Sequence, residues 1–162
     1  ALVLQAQLLD DAGDTAAAVA VLERVTTLQP THGGAFAAKA RKLAQLGQHE
    51  AAVPAFQRAL ELGVTDPDLR FSLGQTWIVL KRYAEARPVF EALVVERPDH
   101  GDGWLELAIT RLRTKDLDGA DQAFERARAT GKASPRLLGD VQRSLQAARE
   151  RREKKSGEDE PR

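Results

Sequence analysis

The sequence predicts an all-α chain of stacked helix hairpins, and three observations carry that reading. Ala18, Ala52, Ala86 and Ala120 stand 34 residues apart, each followed four residues on by a large apolar side chain: Leu22, Phe56, Phe90 and Phe124. Three further on come Val25, Ala59, Leu93 and Ala127. A fixed period of this length marks a repeat array, in which each unit buries its apolar face only against its neighbours. Between these anchors, apolar residues recur at three- and four-residue steps, as on one face of a helix. Finally, 43% of the 162 residues are hydrophobic but only 5% aromatic, and alanine is abundant. That balance suits close helix packing better than a sheet.

Each period reads as two antiparallel helices and a tight turn, placed at about 2–12 with 14–28, 33–46 with 48–62, 67–80 with 82–96, and 101–114 with 116–130. In the second unit Phe36, Ala40, Leu43 and Leu46 line one helix face, Gly47 breaks the pattern, and Ala52, Ala55, Phe56, Ala59 and Leu60 line the next. Gly63 supplies a left-handed stop, as glycine does just past a helix end. Asp66-Pro67 then gives an N-cap followed by proline at the first helical position. Ser134-Pro135 repeats the device after Gly131, while Pro30 and Pro98 end the corresponding helices of the other two units. Pro54 and Pro88 fall inside second helices, where each removes a backbone donor. They read as kinks tolerated on an outer surface, or alternatively as bends that set the curvature of the stack.

A ninth helix at about 135–152 carries Leu138, Val141 and Leu145 on one side, with Arg136, Arg143, Arg149 and Arg151 around it, the inner and outer faces a terminal repeat needs to close a stack. The charged stretch from Glu153 to Arg162 is expected to be disordered. The units are therefore residues 1–32, open to truncation at the start, then 33–66, 67–100 and 101–134, a capping helix 135–152, and a tail 153–162.

Residue types and spacing together resemble the tetratricopeptide repeat, a helix–turn–helix unit of 34 residues. The third unit offers Leu73-Gly74, Trp77, Ala86, Phe90, Leu93 and Pro98. The second gives Phe36, Ala40, Leu43, Gly47, Ala52, Phe56 and Ala59; the fourth gives Trp104, Leu107-Ala108, Ala120, Phe124 and Ala127. The resemblance spans roughly residues 1–152. It implies a right-handed α-solenoid of four such hairpins plus a C-terminal capping helix. Departures are Lys39 for a leucine, Arg70 for a bulky apolar residue and Arg111 for an aromatic, and the first unit lacks aromatics altogether. Long basic side chains can lay their stems on apolar neighbours, so these put local packing in question rather than the architecture. Ala40, Gly74 and Ala108 are expected to face Ala52, Ala86 and Ala120 where two backbones come close. Phe56, Phe90 and Phe124 then fill the space between hairpins, and Trp77 and Trp104 read as core.

Several classes of chemistry find no support. Lys+Arg and Asp+Glu both number 24, and no basic stripe of the kind nucleic acid requires runs through the body of the chain. There is no cysteine, hence no thiolate chemistry and no Cys-based zinc site. His49-Glu50 opens like a zinc-protease motif, but Val53 stands where the second histidine belongs. His32 and His100 read as turn residues two repeats apart. Gly101-Asp102-Gly103 and Gly131-Lys132 begin like nucleotide loops and lack the residues that would complete them. Ser72, Ser134, Ser144 and Ser156 have no histidine in triad arrangement. Neither catalytic nor metal nor cofactor residues are expected.

The longest apolar run, Ala16 to Leu22, is too short to span a bilayer. With no methionine anywhere, residue 1 included, the chain reads as a processed or excised piece of a longer protein. Cytoplasm and periplasm fit equally, and the Ala/Arg-rich composition suggests a bacterial source.

The resemblance implies that first helices line a concave channel in which a protein or peptide partner lies. Carried over by position, the lining is Ala37, Ala38, Arg41 and Gln45, then Phe71, Ser72, Gln75, Ile78 and Val79, then Leu105, Glu106, Ile109, Leu112 and Arg113. The apolar members either form an exposed patch, of the kind that marks binding sites, or pack against neighbouring first helices or the closing helix. The family's best-known clamp for a terminal carboxylate uses lysines, an arginine and asparagines; this chain has no asparagine, and Arg41 is the one basic residue in the second unit's lining. The expectation is a non-enzymatic scaffold within a larger, bacterial assembly. Alternatives are a recruiting module of a larger enzyme, or a structural, self-associating spacer.

Overall fold

In the computed structural model, which describes residues 2–158, the described residues form nine helices and no strand. They belong to two compact units that divide between Arg82 and Tyr83. The first unit contains α1 (Leu2–Asp11), α2 (Thr15–Leu28), α3 (Gly33–Gln45), α4 (His49–Glu61) and α5 (Pro67–Val79). The second contains α6 (Tyr83–Glu96), α7 (Gly101–Arg113), α8 (Leu117–Thr130) and α9 (Pro135–Glu158). The third repeat thus contributes one helix to each unit.

Helix starts lie one residue later than the apolar pattern suggests at α2 and α8, because Asp14 and Asp116 act as N-caps outside the helix. Each carboxylate accepts a backbone N–H three residues on, Ala17 and Gly119 respectively, at 2.9 Å. Asp66 caps α5 ahead of Pro67, accepting from the Asp68 N–H at 2.9 Å. The turn inside each hairpin has one shape, with a left-handed residue at the same register: Gly13 (φ 84°), Gly47 (φ 74°), Lys81 (φ 58°) and Lys115 (φ 66°). Pro54 and Pro88 sit on exposed faces of α4 and α6, as a tolerated internal proline requires.

Within the first unit α1 packs on α2, α2 on α3, α3 on α4 and α4 on α5. Ala6, Val21, Leu22, Val25 and Ala35 form one buried cluster, against which Leu2, Leu9 and Ala38 pack. Ala40 and Ala52 are both fully buried in the α3/α4 hairpin, and Phe56 is fully buried too. In the second unit α7 packs against α6, α8 and α9. Ala108, Ala120, Phe90 and Ala127 are fully buried there, and Phe124 nearly so. Gly101 makes a close approach: a Cβ on it would lie 2.4 Å from the backbone nitrogen of Ala133. Trp77 is buried as expected, whereas Trp104 stays half-buried and donates its indole N–H to the Pro98 carbonyl at 2.9 Å.

The departures from the family pattern find partners. Lys39 pairs with Glu23 of α2 at 3.2 Å. Arg111 donates to the Gly119 carbonyl at 3.0 Å and to Glu91 of α6 at 3.2 Å.

The C-terminal helix is longer than anticipated. Residues 153–158, expected to be disordered, continue α9 as far as Glu158; the remainder of that tail, 159–162, lies outside the described residues. Just ahead of this extension, Arg149 and Arg152 tie α9 to Asp121 and Asp118 of α8 at 2.6 and 2.8 Å. On α9, Val141 and Leu145 are buried at 1% exposure each. Gln142 stands at the register of Ala40, Gly74 and Ala108 and is exposed. A bulky amide thus stands where the earlier repeats hold a small residue between two backbones.

Candidate partner-binding surface

The first unit presents an open cleft of about 320 Å³ between α3, α4 and α5. Its walls are Arg41 and Ala44 from α3, His49 and Phe56 from α4, and Ser72, Gln75, Thr76 and Val79 from α5. The helical period places the α5 residues on one face, at three- and four-residue steps. Val79 is 57% exposed despite being apolar. His49 Nδ1 is buried with no hydrogen-bond partner among the described residues. Arg41 is held by the Asp66 carboxylate. Burial would raise the Asp66 pKa, but the hydrogen bonds from Arg41 and the Asp68 N–H outweigh it and hold the group below the usual carboxylate range.

Of the residues named from the family resemblance in this unit, Gln45, Gln75 and Val79 are exposed, and Arg41, Phe71 and Ile78 are half-buried. Ala37 is buried at 4% exposure and belongs to the core instead. His49, Ala44 and Thr76, which the sequence reading left out of the lining, are part of the cleft wall. Their signal was present only as the turn of α4 facing the last turns of α3 and α5.

In the second unit two of the five expected lining residues are consumed by packing. Leu105 is fully buried and Glu106 is 8% exposed, because α7 has neighbours on three sides in α6, α8 and α9. Ile109 and Leu112 are half-buried, and Arg113 is exposed with its guanidinium 5.7 Å from the Tyr83 ring centre, within cation–π range. A larger cleft of about 750 Å³ lies between α8 and α9, away from the expected lining. Arg128, Arg143, Arg149, Glu125 and Glu150 make its walls mixed in charge.

His32 and His100 prove to be helix caps rather than passive turn residues. Each Nδ1 accepts a backbone N–H three residues on, from Ala35 at 3.1 Å and from Gly103 at 2.9 Å. They fix the entries of α3 and α7, the first helices of the second and fourth repeats. No group of His, Asp or Glu with metal-holding geometry occurs among the described residues, and no described helix is long and apolar enough to cross a membrane.

Comparison with known proteins agrees with this architecture. The family profile for the tetratricopeptide repeat matches residues 3–67, 37–100 and 80–135. A tetratricopeptide repeat protein from Parabacteroides merdae superimposes with a TM-score of 0.81, at 15% identity, over 93% of this chain and 59% of that one. MamA from Desulfovibrio magneticus, residues 41 to the end, gives a TM-score of 0.75 at 20% identity, over 96% and 93% of the two chains. YrrB, described as a tetratricopeptide protein with an unusual peptide-binding site, gives 0.72 at 19% identity over 80% and 66%. Among curated proteins, BBSome complex member BBS4 of Xenopus tropicalis is 28% identical over 139 residues, 85% of this chain but 27% of that protein. The chain therefore spans about a quarter of that relative's length. The helix hairpins, their period and these matches together make the chain a member of the tetratricopeptide repeat family.

Proposed function

We propose that the chain is a non-enzymatic interaction module that holds a peptide or helical segment of a partner protein, within a bacterial multiprotein assembly. The reading rests chiefly on the cleft of the first unit, where Val79 stays exposed beside a buried His49 Nδ1 that has no hydrogen-bond partner among the described residues. Such a surface offers apolar contact for affinity and a few directed polar atoms for orientation. Val79 supplies the apolar part, with the half-buried Phe71 and Ile78 elsewhere on α5; Gln75, Ser72 and His49 supply the hydrogen-bonding part. The likeness to YrrB, described as having a peptide-binding site, supports the peptide-holding role, and the likeness to MamA from Desulfovibrio magneticus supports the bacterial setting.

The second unit contributes less than the family resemblance implies. Ile109, Leu112 and Arg113 remain as accessible contacts on α7, while Leu105 and Glu106 serve the interior.

The test is capture of the native partner by the wild-type chain and by two variants, Ile78→Asp/Val79→Asp and Leu112→Asp, each checked for unchanged helix content. The α5 variant should lose capture and the α7 variant should weaken it. Undiminished capture by both refutes the reading.

A further inference from the structure

Of the three histidines in the chain, His32 and His100 use Nδ1 to cap a helix. The third, His49, opens α4 and stands in the wall of the α3–α4–α5 cleft, where its buried Nδ1 has no hydrogen-bond partner among the described residues. His49 as a whole is only half-buried. A half-turn about its Cβ–Cγ bond exchanges Nδ1 for Cδ2, a carbon that needs no partner, and carries the nitrogen to the other edge of the ring. In a neutral imidazole whose proton sits on Nε2, that nitrogen is an acceptor.

The rest of the cleft limits what can meet it. At about 320 Å³ it has the size of the smallest ligand pockets, room for one large side chain rather than a whole helix. Ala44, Phe56 and the exposed Val79 give it an apolar share. No carboxylate stands among its lining residues, so a lysine or arginine tip finds no ion partner there. Arg41 is already held by Asp66, which leaves a carboxylate tip without a free cation. Thr76 donates its hydroxyl to the Ser72 carbonyl at 2.7 Å and does not compete for the imidazole. A leucine or phenylalanine would fill the space but leave the nitrogen desolvated and without a bond, a net cost. A serine would make the bond and leave the apolar walls uncovered. Tyrosine and tryptophan carry a flat apolar body with a donor at its edge, which is met by an acceptor when the ring is buried.

We propose that the cleft takes one tyrosine or tryptophan side chain of the partner segment, its ring-borne O–H or N–H donating to His49 Nδ1. The anchor rests on the reading of this cleft as the partner's seat and gives that seat a chemical preference. Val79 and Ala44 flank the ring, and His49 selects for the donor it carries.

The experiment titrates the 162-residue chain with blocked alanine peptides that carry tryptophan, tyrosine, phenylalanine, leucine or lysine at the centre, following backbone amide and histidine-ring nitrogen signals by NMR. The tryptophan and tyrosine peptides should shift the amides of Gln75, Thr76 and Val79 and move the His49 ring signals. They should bind about threefold to tenfold more tightly than the phenylalanine peptide, the effect of one neutral hydrogen bond. The tighter of the two identifies the donor as indole N–H or phenol O–H. In His49→Ala the three aromatic peptides should bind alike. A phenylalanine or leucine peptide that binds the wild-type chain as tightly, a lysine peptide that binds best, or cleft signals that stay unmoved in every titration would overturn the proposal. Photo-crosslinking of the native partner from position 79 separates the anchor from the reading beneath it. Adducts there without an aromatic preference among the peptides refute the anchor alone, and no adducts there refute both.

Discussion

Arg111 of α7 donates a hydrogen bond to Glu91 of α6 at 3.2 Å, and its other guanidinium nitrogen holds the Gly119 carbonyl of α8 at 3.0 Å. One basic side chain thereby joins three helices at the register where the third repeat uses Trp77. Arg87 completes the cluster, meeting Glu91 at 2.9 Å and Asp116 at 3.2 Å. Removing the charge and its bonds with Arg111→Ala should lower unfolding free energy by about 1–2 kcal/mol, toward the low end of the range for charged hydrogen bonds because Glu91 is partly solvent-screened. Arg111→Trp should recover part of that loss by packing. Urea melts of the three proteins check both statements.

The same cluster makes an acid-labile contribution. Burial would raise the Glu91 pKa, but the hydrogen bonds from Arg87 and Arg111, with their charges, outweigh it and hold the carboxyl below its ordinary range. A carboxylate with a depressed folded-state pKa stabilises fully above its unfolded value, and that stability is lost as pH falls through the folded one. Stability should therefore decline below about pH 4, the ordinary range of a glutamate. Glu91→Gln should be less stable at neutral pH and show a shallower acid decline. Identical pH profiles for the two proteins would contradict this.

Histidine caps should behave as caps. His32→Ala and His100→Ala each remove an acceptor for an otherwise orphaned helix N–H and should cost about 1 kcal/mol. His32→Asn and His100→Asn, which retain an acceptor, should cost less than half as much. Amide exchange at Ala35 and Gly103, the two N–H groups concerned, offers a local readout: faster in the alanine variants, near wild type in the asparagine ones.

The hairpin turns offer a gain of stability. Lys81 and Lys115 hold the left-handed conformation that Gly13 and Gly47 hold in the first two repeats, and a residue with a Cβ is strained there by about 1–2 kcal/mol. Lys81→Gly and Lys115→Gly should each stabilise the protein by about 0.5–1 kcal/mol, since glycine's larger unfolded-state entropy takes back part of the relief. Thermal melts of the single variants and the pair are sufficient.

Much of this architecture is written in spacing. Ala40, Ala52, Phe56, Ala108 and Ala120 could be assigned to the interior because a 34-residue period repeats the same small and large side chains where helices must touch. Asp66-Pro67 and Gly63 marked a helix end and start because their backbone preferences are local. What escaped the sequence depends on neighbours. For Leu105 the sequence left two readings open, an exposed lining or packing against neighbouring helices, and it is fully buried on a helix packed by α6, α8 and α9; no local pattern decides between the two. His32 and His100 read as turn residues because imidazole is not among the usual capping side chains. Residues 153–158 have the charge of a disordered segment; Arg149 and Arg152 of α9, anchored on α8, hold the helix just ahead of them.

The central claim is that the α3–α4–α5 cleft receives a partner segment. Its most direct test places a photo-reactive amino acid at Val79, and in a control at the exposed Gln57 of α4, followed by irradiation with the native partner present and mapping of the adducts. The account predicts adducts at position 79 to one contiguous partner segment, reduced by His49→Ala, and few at position 57. Equal labelling at both positions, or a partner segment that maps only to position 57, would contradict it.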